Sequence, residues 1–97
     1  MTRRNIEVEE LLQRYAAGER NFARVLIRGD DERLPGCNLS GINLTEAKLD
    51  ISNLAEANLS GADLSGANLS LADLSGAILH EANLDGACLR GAKVDRL

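Results

Sequence analysis

Aromatic residues are nearly absent from this chain of 97 residues, which contains Tyr15, Phe22 and no tryptophan. A core made without large rings has to be built from leucine, isoleucine, valine and alanine. Such side chains fill space well only when they stack densely and regularly. Because the length allows one domain, we expect a single body with a repetitive interior.

Cysteine and histidine are also scarce. Cys37 and Cys88 are too few for a disulfide framework, and their spacing matches no zinc or redox motif. His80 is the only histidine and has no evident partner for general base catalysis. No strand, glycine-rich loop and helix follow one another as in a phosphate-binding site. We therefore expect no enzyme activity, no catalytic residues, no cofactor and no metal.

Positive charge is limited, because 11 basic residues face 15 acidic residues and the net charge is −4. Direct binding to nucleic acid needs a basic patch, so this balance argues against it. The first residues have no apolar core of a signal peptide, and no segment approaches the length of a membrane span. We expect a cytoplasmic protein that does not contact a membrane.

A repeat of five residues fills most of the chain. Each repeat has a small inner residue, a polar outer residue, a large central residue, a fourth residue and a corner residue. Alanine is the inner residue in nine of twelve repeats, the exceptions being Cys37, Ile42 and Ser52. The outer residue is Asn or Asp in eight. The twelve central residues are Leu39, Leu44, Leu49, Leu54, Leu59, Leu64, Leu69, Leu74, Leu79, Leu84, Leu89 and Val94.

This period excludes an amphipathic helix, because five residues advance about 500° and successive leucines would surround the cylinder. In an extended segment the inner and central residues share one side, and the outer residue points away. The next inner residue then requires a turn between repeats. Glycine occupies that corner in six of the twelve repeats, at 41, 61, 66, 76, 86 and 91. The pattern predicts a coil with leucine and alanine inside.

The repeat, clearest in "ANLSGADLSGANLSLADLSG" at 57–76, resembles the pentapeptide-repeat family. The resemblance covers about residues 20 to 96 and implies an all-β solenoid, a right-handed quadrilateral parallel β-helix with four repeats per coil. The segment 1–22 also resembles the start of cyanobacterial members. We divide the chain into an N-terminal capping helix at 1–19 and a β-helix of about four coils at 20–97.

Two features precede the regular repeats. Repeats centred on Phe22, Ile27 and Leu34 continue the pattern only if Asp30 and Asp31 are extra, so we place these two at a corner bulge. Residues 5–17 suit a helix that covers the first coil, with Asn5 as N-cap and Gly18 as terminator. Its apolar face consists of Val8, Leu11, Leu12 and Tyr15. A membrane-binding or partner-binding helix is the alternative, which the acidic polar face disfavours.

The C-terminal end of the coil has no comparable cover in the sequence. We expect two copies to meet there as a homodimer, through contacts from Leu79, Leu84, Leu89, Val94 and Leu97. In the alternative, charged residues at positions 90, 93, 95 and 96 keep a monomer in solution.

Function is then a property of the surface. Residues 37–86 carry seven acidic side chains and one basic, Lys48, and one face presents Glu46, Asp63 and Asp85 as a candidate acidic partner site. We favour a small rigid module for protein interaction or structure, with an unidentified protein partner. The alternative follows from the resemblance, since the quinolone-resistance members of the family mimic DNA and bind DNA gyrase. Against it, three acids are sparse beside a duplex with one charge per ~1.7 Å.

Overall fold

The fold was analysed in a computed structural model, which describes residues 4–27 and 34–95. It contains one helix, α1 (Val8–Ala16), and four short strands, β1 (Arg4–Ile6), β2 (Val25–Ile27), β3 (Asp73–Leu74) and β4 (Lys93–Val94). β1 pairs in parallel with β2, and β3 pairs in parallel with β4. Between these pairs the chain is held by isolated parallel bridges, each of which involves one residue per strand.

These bridges show that the chain is a β-helix solenoid. Asn38 pairs with Asn58, Asn43 with Asp63, and Lys48 with Asn68, so the chain returns to the same position after 20 residues. From residue 37 to residue 95 each repeat contributes one short extended segment, which we call a side. The main-chain N–H of a central residue donates to the turn below, as from Leu44 to the Asp63 oxygen at 2.8 Å.

The interior follows the predicted pattern. Inner and central residues are buried from residue 39 to residue 74, including Ile42, Ala57 and Leu59. The buried central residues Phe22, Ile27 and Leu34 extend this core to the first turn. Ser52 is the only buried polar residue in the described ranges, and its hydroxyl donates to the Leu49 carbonyl at 2.5 Å. The hydroxyl group therefore occupies an alanine position without losing a hydrogen bond.

Each corner is a tight turn with a left-handed third residue. The N–H of the following inner residue donates back to the central carbonyl, as from Ala47 to Leu44 at 3.1 Å. The corner residue has positive φ whether it is glycine, as in Gly61 (69°), or not, as in Ile51 (69°) and Leu71 (61°). This combination is that of a type II turn, in which glycine is favoured at the third position.

The recurrent Asn and Asp residues stabilise the corners. The side-chain oxygen of each outer Asn or Asp accepts the N–H of the fourth residue of its own repeat, as in Asn68 with Ser70 at 3.1 Å. Where the fourth residue is serine, its hydroxyl often donates to the same oxygen, at 2.7 Å in this pair. The oxygen of the polar outer residue is therefore used within its own repeat, where it stabilises the turn.

The first turn is two residues longer than the others. Asn21 pairs with Asn43 and Leu26 pairs with Lys48, which are separations of 22 residues instead of 20. The predicted two extra residues are therefore present between Leu26 and Asn38. Their assignment to a bulge at Asp30 and Asp31 lies outside the described residues.

The helix begins later than predicted. Its N-cap is Glu7, and Asn5 lies in β1, where the backbone of residues 4–6 pairs with residues 25–27. The prediction of Asn5 as N-cap was wrong because strand pairing with residues 21 positions away takes precedence over local capping. Gly18 terminates the helix as predicted, with φ of 106° and the N–H of Glu19 bonded to the Arg14 carbonyl at 3.0 Å.

The predicted apolar face of the helix packs on the core. Val8 and Leu11 are buried, and Leu12 and Tyr15 are half-buried against the same cluster. The Tyr15 hydroxyl donates to the Ser40 carbonyl at 2.6 Å, which fixes the helix to a corner of the first turn.

Replacing Ile51 by glycine is expected to stabilise the protein. The left-handed conformation costs a non-glycine residue roughly 1–2 kcal/mol, which the substitution removes. Glycine loses more conformational entropy on folding, and this loss offsets about 0.5–1 kcal/mol of the gain in stability. The melting temperature should rise by a few degrees in a thermal scan followed by circular dichroism. The reverse change, Gly61→Ala, should lower it, although a Cβ there meets no atom within 4 Å. Equal melting temperatures for the wild type and both variants would show that the left-handed backbone at Ile51 is not strained.

Candidate functional site

The three acidic residues of the predicted partner face occupy three different positions of the repeat. Glu46 is an exposed corner residue, Asp63 is a half-buried outer residue, and Asp85 is an exposed fourth residue. The Asp63 carboxylate accepts the N–H of Ser65 at 3.0 Å and its hydroxyl at 2.7 Å. Glu46 lies 4.0 Å from the guanidinium of Arg24. The face is therefore a set of separate carboxylates, two of which already interact with neighbouring groups.

The C-terminal end of the described coil differs from the rest of the solenoid in exposure. Leu79 and Leu84 are only partly buried, and the exposed fractions of Leu89 and Val94 are 39% and 44%. Their counterparts one turn above, Leu69 and Leu74, have exposed fractions of 0% and 2%. Leu97, also predicted at this end, lies outside the described residues. We refer to residues 77–95 as the open end.

The open end also presents free main-chain donors. One turn above, Leu64, Gly66 and Leu69 donate their N–H groups to the carbonyls of residues 83, 85 and 88 at 2.7–2.8 Å. The corresponding groups of Leu84, Gly86 and Leu89 have no main-chain acceptor within residues 4–27 and 34–95. The last turn thus carries an unpaired strand edge beside exposed leucines, which is the surface type that binds other strands.

Asp95 shows how the edge is closed at one corner. The N–H of Gly76 donates to the Asp95 carboxylate at 2.7 Å, whereas at other corners a main-chain carbonyl accepts this bond.

The N-terminal end of the solenoid is covered by α1, and side-chain contacts hold this helix in place. The Arg20 guanidinium lies 3.7 Å from the centroid of the Tyr15 ring, and Arg14 forms an ion pair with Glu19 at 2.5 Å.

The two cysteines lie in different environments. Cys37 is an inner residue packed against the core, and burial raises the pKa of its thiol, which keeps it in the unreactive protonated form. Cys88 is an exposed outer residue. His80 is exposed and lies 4.0 Å from the Glu81 carboxylate. In the part of the chain that the structure describes, no three metal-ligating side chains of His, Cys, Asp or Glu form a group.

The apolar residues at corner and outer positions were not identified from the sequence, and their side chains are exposed on the surface of the coil. Ile51 and Leu71 are 62% and 64% exposed at successive corners of one edge, and Ile78 is 51% exposed at an outer position. The signal was present, because an apolar residue at the corner or outer position points away from the core. The last turn shows three departures from Asn or Asp at outer positions: Ile78, Cys88 and Lys93.

Among the described residues there is no helix with the length and apolar character needed to cross a membrane.

Comparison with known proteins identifies the repeat. The family described as Pentapeptide repeats matches residues 52–91 in eight copies. A pentapeptide repeat protein from Nostoc PCC 7120, whose crystal structure is known, is 37% identical with a TM-score of 0.55. That match covers 99% of this chain and 81% of the Nostoc chain. A search of curated proteins finds no match.

Acid sensitivity should arise partly at Asp73. The hydroxyl and main-chain N–H of Ser75 and the charge of Lys93 lower the pKa of this carboxyl. A lowered folded-state pKa contributes stability above the unfolded-state value, and that contribution is lost as the pH falls below about 4. Asp73→Asn should therefore flatten the acid limb of stability against pH in chemical denaturation, since Asn68 makes the same turn bonds.

Asp50→Asn is the matched control. Asp50 pairs with Lys48 at 3.2 Å on the surface, and such pairs contribute little to stability. An acid limb that is the same in Asp73→Asn as in the wild type, or that changes equally in both variants, would contradict the assignment to Asp73.

Proposed function

Because this chain belongs to the pentapeptide-repeat family, we propose that it is a non-enzymatic protein whose β-helix acts as a small rigid module for protein interaction or structure. The observation that carries this proposal is the use of polar side chains. The Asn, Asp and Ser residues that cover the coil hydrogen-bond to their own repeats, as Asn58 does with Ser60 at 3.0 Å. A surface of this kind offers shape and flatness to a partner and few groups for chemistry.

We also infer the finer architecture that the resemblance implies. The β-helix is right-handed and quadrilateral, has about four coils, and is closed at its N-terminal end by α1. The recurrence of bridges after 20 residues supports four repeats per coil. The two free cysteines fit a reducing compartment, and we propose a cytoplasmic location.

The partner for the open end, we propose, is a second copy of the chain. The exposed leucines and free N–H groups of this end need a partner with apolar side chains and main-chain acceptors. The same end of another copy has both, since the inner carbonyls of Ala82 and Ala87 correspond to those of Ala62 and Ala67, which accept from the next turn. Because α1 covers the opposite end, head-to-tail stacking is disfavoured. A like-to-like contact closes after two copies and produces a dimer with two-fold symmetry instead of a fibre.

A DNA mimic that binds DNA gyrase is the second candidate from the family resemblance. It receives less support here, because Asp63 and Asp73 use their carboxylates in turn hydrogen bonds and Glu46 lies beside Arg24. The remaining exposed acids are spread over several corners and sides. We therefore rank it below the interaction module.

Leu89→Asp tests the dimer. A carboxylate at the partly exposed Leu89 has to lose water when two copies meet, so the variant should be monomeric in light scattering. Its circular dichroism spectrum should match that of the wild type, because this end is already in contact with solvent. Ile51→Asp is the matched control, since Ile51 is an exposed corner residue two turns above Gly91 of the open end. A wild-type protein that remains monomeric at high concentration contradicts the dimer.

A supercoiling assay with purified DNA gyrase separates the two candidate functions. The interaction module predicts no effect of the wild-type protein at any soluble concentration. Inhibition at micromolar protein that is lost in Leu89→Asp would instead support an acidic dimer that replaces DNA. The Ile51→Asp variant again serves as control, because it keeps the open end and adds one acid.

A further inference from the structure

The open end has a shape that restricts how two copies can meet. Its rim consists of four sides, residues 77–80, 82–85, 87–90 and 92–95, joined by corners at Glu81, Gly86 and Gly91. The rim is a spiral, because the last side lies one strand spacing, about 4.8 Å, below the side that pairs with it. Within the described residues it therefore has one step, located where the Gly76 N–H meets the Asp95 carboxylate.

Two identical spirals meet without a gap only when the step of one fits the step of the other. The two-fold axis then passes through the step and through the opposite corner near Gly86. On this basis, which rests on the proposed dimer, we propose a single register for the contact. Side 82–85 of each copy runs antiparallel to side 87–90 of the partner, and side 77–80 runs antiparallel to side 92–95.

The main-chain groups of the rim match in this register. In every turn above, the central N–H and the inner carbonyl point toward the next turn, as Leu64 N–H and Ala62 oxygen do. On the open end the same groups are those of Leu84 and Ala82 on one side, and of Leu89 and Ala87 on the next. The register places the Leu84 N–H against the partner's Ala87 carbonyl, and the Leu89 N–H against the partner's Ala82 carbonyl. This is the wide hydrogen-bonded ring of an antiparallel ladder.

The interior side chains also match, because each large residue meets a small one. Leu84 lies over the partner's Ala87, and Leu89 lies over the partner's Ala82. The remaining pairs are Leu79 with the partner's Ala92 and Val94 with the partner's Ala77. Large side chains that face small ones interdigitate, and the partly exposed leucines become interior residues of a continuous core.

Charge supports a second copy as the occupant. The register places Glu81 opposite the partner's Arg90, and symmetry repeats this pair on the other side of the axis. Glu81 is 79% exposed, and its carboxylate lies 4.0 Å from the imidazole of His80. A register shifted by one side places Glu81 opposite the partner's Asp95 and leaves one side unpaired. Complementary charge thus selects the same register as the spiral step.

Cysteine cross-linking tests the register. Asn83 faces the partner's Cys88 as a non-hydrogen-bonded antiparallel pair, with Cα atoms about 4.5 Å apart, which is within the range of a disulfide. The Asn83→Cys variant, made in a Cys37→Ser background, should form a covalent dimer with oxidised glutathione. Each disulfide forms as two thiols give up two protons and two electrons to the oxidant.

Two single-cysteine proteins are the controls. Cys88 alone (Cys37→Ser) and position 83 alone (Cys37→Ser, Cys88→Ser, Asn83→Cys) should cross-link much more slowly, because neither residue faces itself. Rapid cross-linking of Cys88 alone overturns the proposed register in favour of the shifted one. A dimer in light scattering without any cross-link overturns the register and leaves the dimer intact, whereas a monomer in light scattering overturns both.

Charge reversal gives a second readout without a covalent bond. Glu81→Arg and Arg90→Glu should each weaken the dimer several-fold in light scattering against concentration, because like charges then face each other. The double variant should restore the wild-type dissociation constant. Both residues are exposed in the monomer, so circular dichroism should show an unchanged fold. Single variants as tight as the wild type, or a double variant as weak as the singles, would overturn the pairing.

Discussion

The structure depends on one conformational constraint: the corner residue, two positions after each central residue, has to adopt the left-handed conformation. Without positive φ at this position, three extended residues continue straight and the next inner residue points to solvent. With it, the N–H of Ala47 or Ala67 returns to the preceding central carbonyl, and inner and central residues stay on one side. The core, the flat sides and the open end all follow from this turn. Six corners within residues 4–27 and 34–95 adopt this conformation without glycine, among them Ile51 and Leu71.

Much of the fold follows from the sequence because its rules are local. An inner residue such as Ala57, a central residue such as Leu59 and a corner such as Gly61 each state their orientation within five letters. The two additional residues of the first turn are also visible, because Leu34 resumes the phase after an interruption. Asn5 shows the limit. Its side chain is a good N-cap by local rules, and only the pairing of residues 4–6 with residues 25–27 reveals that its backbone belongs to a strand.

The candidate sites were less predictable, because they depend on contacts between residues that are distant in the sequence or on side-chain geometry. That Glu46, Asp63 and Asp85 share one side is readable from the period. That Asp63 is engaged by Ser65 depends on side-chain geometry. At the open end, the proposed register depends on the position of the step, which the sequence alone does not state. The comparisons establish family and fold, and the function of a repeat surface has to come from its particular side chains.

The 20-residue separation between bridged positions has a consequence for how the chain reaches its native state. Every bridge from Asn38 to Cys88 closes a loop of the same length, so the entropic cost of each new turn stays constant along the chain. A turn needs only its neighbour as a template, and contact with distant parts of the sequence is unnecessary. Folding can therefore advance as a zipper from a first nucleus. The helix at residues 8–16, which leaves the ribosome before the repeats that follow it, supplies an apolar surface on which that nucleus can form.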